Sequence, residues 1–113
     1  MPAEGLSVLL IALLALGAHE GSHYFLLRMA GADPKPAARR WGLGGVGWAF
    51  HSRGISRRAL RVQWVAGPAI EGAVWITAAL AMPAWRGLFV LLLVVDLLGN
   101  WLPGGDLRRA WNG

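Results

Sequence analysis

The sequence predicts an all-α membrane protein: three transmembrane helices, with a membrane-associated Gly- and Trp-rich β-hairpin or loop between the first and second. Two observations lead there. Of 113 residues, 56% are hydrophobic and only 15% charged, mean hydropathy is +0.47, and the apolar residues gather into long runs, where a soluble chain of this size would alternate them with charges. The basic residues, meanwhile, cluster between and after those runs, as they do beside membrane spans.

The first run covers about residues 6–28 and at 1.5 Å per residue is long enough for a hydrocarbon core of roughly 30 Å. A secretory signal peptide is disfavoured, because Glu4 stands where a basic segment belongs and the apolar pattern continues through Tyr24, Phe25, Leu26 and Leu27. The second span covers about 62–82, starting near Arg61 or Val62 and ending at Pro83; the third covers about 87–102 and ends at "PGG". Between the first two, "DPKP" opposes a regular helix. "WGLGGVGWAF" places Val46, Trp48 and Phe50 in alternation as a strand or irregular loop, and "HSRG" reads as a turn before a second short strand. All of this forms a single domain, residues 1–113.

Arg28, Lys35, Arg39, Arg40, Arg53, Arg57, Arg58 and Arg61 flank or occupy the long connection and Arg108 and Arg109 follow the third span, whereas Arg86 alone lies opposite. The positive-inside rule then predicts an outside N-terminus and a cytoplasmic C-terminus. Trp85 marks the outer boundary, and Trp41, Trp48, Trp64, Trp101 and Trp111 suit the inner one. The net charge of +5 is thereby assigned to the lipid bilayer surface, and no nucleic-acid partner is expected.

Four carboxylates, Glu20, Glu71, Asp96 and Asp106, lie in or at the edge of the spans, where each charge costs about 2.5 to 3.5 kcal/mol at the bilayer centre. His19 and His23, four residues apart, project from one helix face and bracket Glu20, a His-Glu-x-x-His pattern suited to two imidazoles holding Zn²⁺ and a glutamate acting as base. Gly17 and Gly21 occupy roughly the opposite face, where they permit close packing against another helix. With no cysteine, a third ligand must be an imidazole or a carboxylate. His51 reads as a solvated loop residue. Asp106, at a depth of about 28 Å against about 20 to 26 Å for the histidines, fits better than Asp96 at about 14 Å. Asn100 offers an amide for a developing oxyanion or for interhelical bonding, and Glu71 is open between a carboxylate supporting the site, a proton carrier and a packing residue.

In this order, "HEGSH" at 19–23, "AGPAIEG" at 66–72 and "NWLPGGD" at 100–106 resemble the three conserved segments of the site-2 proteases, intramembrane zinc metalloproteases, and the likeness covers essentially the whole chain. The resemblance implies that His19, His23 and Asp106 bind zinc, Glu20 is the general base, Asn100 assists at the scissile carbonyl, and the hairpin helps admit substrate. It implies hydrolysis of a membrane-embedded peptide or protein near the cytosolic leaflet of a prokaryotic plasma membrane; three helices give little wall around a cavity, which leaves room for a homo-oligomer or a membrane partner. The chain departs from the family pattern at Glu71, where Asn is usual, in an Asn-to-Asp spacing two residues shorter, and at Leu107, where Gly follows the aspartate. These departures keep Asp96 as a fallback ligand and a non-catalytic zinc-binding or adaptor protein as the alternative. A histidine-box oxygenase would need more than the three histidines present, and a proton channel would leave the histidine spacing unexplained.

Overall fold

A computed structural model describes residues 3–38, 46–102 and 105–112. Helix α1 (Ala3–Met29) is followed by strands β1 (Lys35–Ala38) and β2 (Val46–Ala49), then α2 (Arg57–Ala81), a 3₁₀ turn (Pro83–Trp85), α3 (Arg86–Trp101) and the short α4 (Asp106–Asn112). Three segments, Ala3–Met29, Arg57–Ala81 and Pro83–Trp101, are long and apolar enough to cross a membrane. The molecule is elongated, 48 × 23 × 22 Å.

Local chemistry sets the ends of the helices. Gly31, at φ +91°, closes α1 in a Schellman motif: the Ala32 N–H donates to Leu27 O at 2.9 Å and the Gly31 N–H to Arg28 O at 3.1 Å. The Ser56 hydroxyl accepts the Ala59 N–H at 3.1 Å and starts α2 at Arg57, a full turn before the apolar run that marks its start in the sequence. Pro83 opens the 3₁₀ turn, and the short connection makes α3 antiparallel to α2.

The hairpin differs from the sequence expectation. Its strands are Lys35–Ala38 and Val46–Ala49, antiparallel, with Pro36 opposite Trp48, so the proline-containing segment is itself a strand. Proline is tolerated there because each strand of a two-stranded sheet has a free edge. After "HSRG" the chain turns through Gly54 (φ +75°) directly toward α2, with no second strand following. Arg39, Arg40, Trp41 and the Gly-rich stretch to 45, together with Pro103 and Gly104, lie outside the described residues.

Helix α2 is central, packing against α1, α3 and α4, while α1 and α3 do not pack on one another among the described residues. One end of the bundle is apolar: Ala15, Trp75, Ala78, Ala79 and Phe89 form the core, with Trp75 and Phe89 stacked at 6.1 Å. The other end buries His19, His23, Gln63, Glu71, Asp96, Asn100 and Asp106, while Leu9, Leu10, Leu13, Leu14, Phe25, Leu91 and Leu98 are exposed. That distribution inverts the pattern of a water-soluble protein. Gly17 and Gly21 are exposed and a Cβ at either would meet nothing within 4 Å, so among the described residues no helix packs against that face of α1, which turns its histidine face to α2.

Phe89 is completely buried at the apolar end. Replacing it with Ala loses the buried ring and leaves a cavity, which together should lower stability by about 3 to 5 kcal/mol. Reversible unfolding in detergent checks this, with Leu98→Ala, at an exposed position, as the near-neutral comparison.

Candidate metal centre

The site is built where α1, α2 and the start of α4 meet. The four-residue spacing of His19 and His23 brings both imidazoles to the face of α1 that meets α2, their rings edge-on at 4.9 Å. Opposite them α2 has Gly67. A Cβ at that position would collide with His23 Nε2, and would lie 2.7 Å from His23 Cε1 and 3.0 Å from His19 Cδ2. Only a residue without a side chain lets the two rings lie against the α2 backbone.

The third member arrives by a tight turn. After α3 ends, the Gly105 N–H donates to Leu102 O at 2.8 Å, and a Cβ on Gly105 would sit 2.6 Å from Asn100 C and 2.8 Å from Asn100 Cα. The turn therefore needs glycine, and it sends Asp106, in the first turn of α4, back into the bundle with no exposed surface. Asp106 Oδ2 lies 2.7 Å from His19 Nε2 and 2.7 Å from His23 Nε2.

The outward nitrogens are held from α2. Glu71 Oε1 is 2.7 Å from His19 Nδ1, and Glu71 Oε2 accepts the Trp75 indole N–H at 3.0 Å. Gln63 Oε1 is 3.1 Å from His23 Nδ1. Both partners can accept from Nδ1, and with the proton there each imidazole would turn its Nε2 lone pair inward. Two imidazole Nε2 atoms and a carboxylate oxygen thus converge in a buried space, where a cation or shared protons can hold them together. The donor set, two imidazole nitrogens and one carboxylate oxygen without thiolate, suits Zn²⁺ with a fourth position left for water. The carboxylate and amide behind the imidazoles match the outer partners that orient metal-bound histidines.

Glu20 is half-exposed beside this centre, with Oε1 4.0 Å from His19 Nε2. Asp96 lies on the other side of His19. It forms a group with His19 and Glu71 whose ligand atoms are within 4.8 Å of one another, sharing His19 with the His19, His23 and Asp106 group. The Asn100 amide nitrogen donates to Asp96 O at 2.6 Å and to Asp96 Oδ1 at 3.1 Å, which commits both of its hydrogens within α3. His51 is exposed in the loop before α2.

Gln63 and Gly67 are site residues that the sequence reading did not assign. Their signal is a four-residue ladder, Gln63, Gly67, Glu71 and Trp75, which places an amide, a gap, a carboxylate and an indole on one face of α2. All four are buried.

Gly67→Ala should displace both imidazoles and lower bound zinc by at least tenfold relative to the parent, read by metal analysis of purified protein. Glu71→Ala leaves the Nε2 atoms in reach of Asp106 and should weaken zinc by about 10- to 100-fold, the usual loss when a partner behind a metal-bound histidine is removed.

No protein-family model, curated protein or solved structure matches this chain.

Proposed function

We propose that this chain is an integral membrane zinc-dependent endopeptidase of the site-2 protease type, cutting a membrane-embedded peptide close to the arginine-rich, cytoplasmic leaflet. The observation that carries the reading is the convergence of His19 Nε2, His23 Nε2 and Asp106 Oδ2 at the buried end of helices apolar enough to cross a membrane. His19, His23 and Asp106 would hold the zinc ion, which when bound supplies Lewis acidity and lowers the pKa of a coordinated water.

The chain's own residues divide the remaining work. Glu71 and Gln63 fix the tautomer and tilt of the two imidazoles through Nδ1. Glu20, beside the centre and half-exposed, accepts the proton of the attacking water and delivers it to the departing amine nitrogen. The β2 strand bears on the same turn of α1, because the Trp48 indole N–H donates to Glu20 O at 3.2 Å; the hairpin thereby sits where a substrate segment would enter. Asn100 assists at the scissile carbonyl only after one of its bonds to Asp96 is released.

That commitment of Asn100, together with the departures at Glu71, at Leu107 and in the Asn-to-Asp spacing, favours the second reading, a zinc-binding membrane module without catalysis. Reconstitution in liposomes with a transmembrane peptide library separates the two. Glu20→Gln should keep its zinc and lose cleavage by about 10²- to 10⁴-fold, the usual contribution of a positioned acid–base group. Unchanged cleavage in that variant contradicts the peptidase reading, and a parent protein that binds zinc but never cleaves supports the module.

A further inference from the structure

Glu71 has a second carboxylate beside it. Asp96 reaches it from α3, both residues are buried, and one ligand atom each from His19, Glu71 and Asp96 lie within 4.8 Å of one another. A Cβ on Gly72 would stand 3.5 Å from Asp96 Oδ2, so that oxygen points at α2 directly beside Glu71. It has no hydrogen-bond partner, although Oδ1 of the same carboxylate accepts the Asn100 amide at 3.1 Å. An unpartnered carboxylate oxygen turned toward a second acid, away from water, is costly unless a positive charge lies between them.

The neighbouring side chains do not offset that charge. Glu71 Oε1 lies 2.7 Å from His19 Nδ1, and Glu71 Oε2 accepts the Trp75 indole N–H at 3.0 Å. With Zn²⁺ on Nε2 the His19 imidazole is neutral, as are the indole and the amide. No lysine or arginine is buried among the described residues. The facing atoms, one imidazole nitrogen and two carboxylate oxygens without thiolate, belong to the donor class of borderline divalent ions such as Zn²⁺, and two carboxylates match its double charge. The Trp75 indole and the Asn100 amide hold the far oxygens, as outer partners hold metal-bound carboxylates.

We propose that His19 Nδ1, Glu71 and Asp96 Oδ2 form a second site for a zinc-type divalent cation, weaker than the first and filled only when free zinc is abundant. His19 would then bridge the two ions through its two ring nitrogens. Nδ1 cannot hold a proton and a metal together, so entry of the second ion sends the Nδ1 proton to bulk solvent. That displacement, and the ion already drawing on the same ring through Nε2, make the second site the weaker one. Its occupation replaces the hold of Glu71 on His19 with a metal bond, so abundant zinc would act directly on a ligand of the first centre. The proposal rests on the first centre binding zinc and makes no use of peptidase activity.

The full chain in neutral detergent, freed of loose metal, can be titrated with zinc alone and its bound metal counted by native mass spectrometry. A first zinc retained throughout and a second taken up at micromolar free zinc are expected. Asp96→Asn should weaken the second by roughly tenfold or more and keep the first. His51→Ala and Glu20→Gln, at the exposed and half-exposed alternatives for a loose ion, should leave the second unchanged. Circular dichroism reports whether Asp96→Asn retains the parent helicity. Should it lose helicity, ¹⁵N-histidine NMR of the parent at the second equivalent decides: one of the three rings should have both nitrogens metal-bound, a state that no single-ion site gives. A second zinc kept by folded Asp96→Asn, or lost in His51→Ala or Glu20→Gln, overturns the proposal, as does the absence of a doubly bound ring. One tight zinc with no second assigns a shared proton to the acid pair and overturns the proposal while leaving the first centre standing; no zinc at all contradicts both.

Discussion

Two imidazole nitrogens and one carboxylate oxygen meet at the buried end of the bundle, each Nε2 lying 2.7 Å from the same oxygen. Everything around them serves that encounter. Glu71 and Gln63 engage the outer nitrogens, which leaves both Nε2 atoms facing Asp106 for a cation to bridge. In a hydrocarbon setting the same polar atoms facing lipid would each carry a large desolvation penalty, and burying them against α2 removes that penalty without supplying bulk water.

The rest of the architecture follows from bringing those three groups together. Gly67 lets the α1 histidines approach the α2 backbone, and Gly105 lets the chain reverse tightly enough for Asp106 to re-enter. Because α2 touches every other helix, it supplies both outer partners and the surface on which the histidines lie. The opposite end needs no such chemistry and is closed by Trp75 stacked on Phe89, with the Trp85 indole N–H donating to Glu4 at 3.3 Å across the helix ends. Trp75 joins the two halves, since its ring belongs to the core and its N–H donates to Glu71.

Much of this was legible in the sequence for identifiable reasons. Three apolar runs reveal three long helices because length and hydropathy alone decide whether a segment can cross hydrocarbon. The spacing of His19 and His23 reveals a shared face because helix periodicity is fixed. Helix ends were less legible: the apolar run places the start of α2 near Val62, but the Ser56 cap places it at Arg57, a polar signal outside the hydrophobic pattern. Strand β1 was hidden by its proline, which excludes a helix yet is admissible on a free edge. Gln63 and Gly67 escaped because a lone glutamine and a glycine acquire meaning only from what faces them across a helix interface. Glu71 could be assigned a role only once His19 was seen against it.

The central claim is that His19, His23 and Asp106 form one cation site of zinc type. X-ray absorption at the zinc edge of purified protein, with metal quantified per chain, addresses it most directly. One zinc per chain with two imidazoles and oxygen ligands at about 2.0 to 2.2 Å, losing an oxygen ligand or its metal in Asp106→Ala but keeping both in Asp96→Asn, is the expected result. Protein that purifies without zinc and does not take it up at stoichiometric concentration, or a zinc environment unchanged by Asp106→Ala, would contradict it.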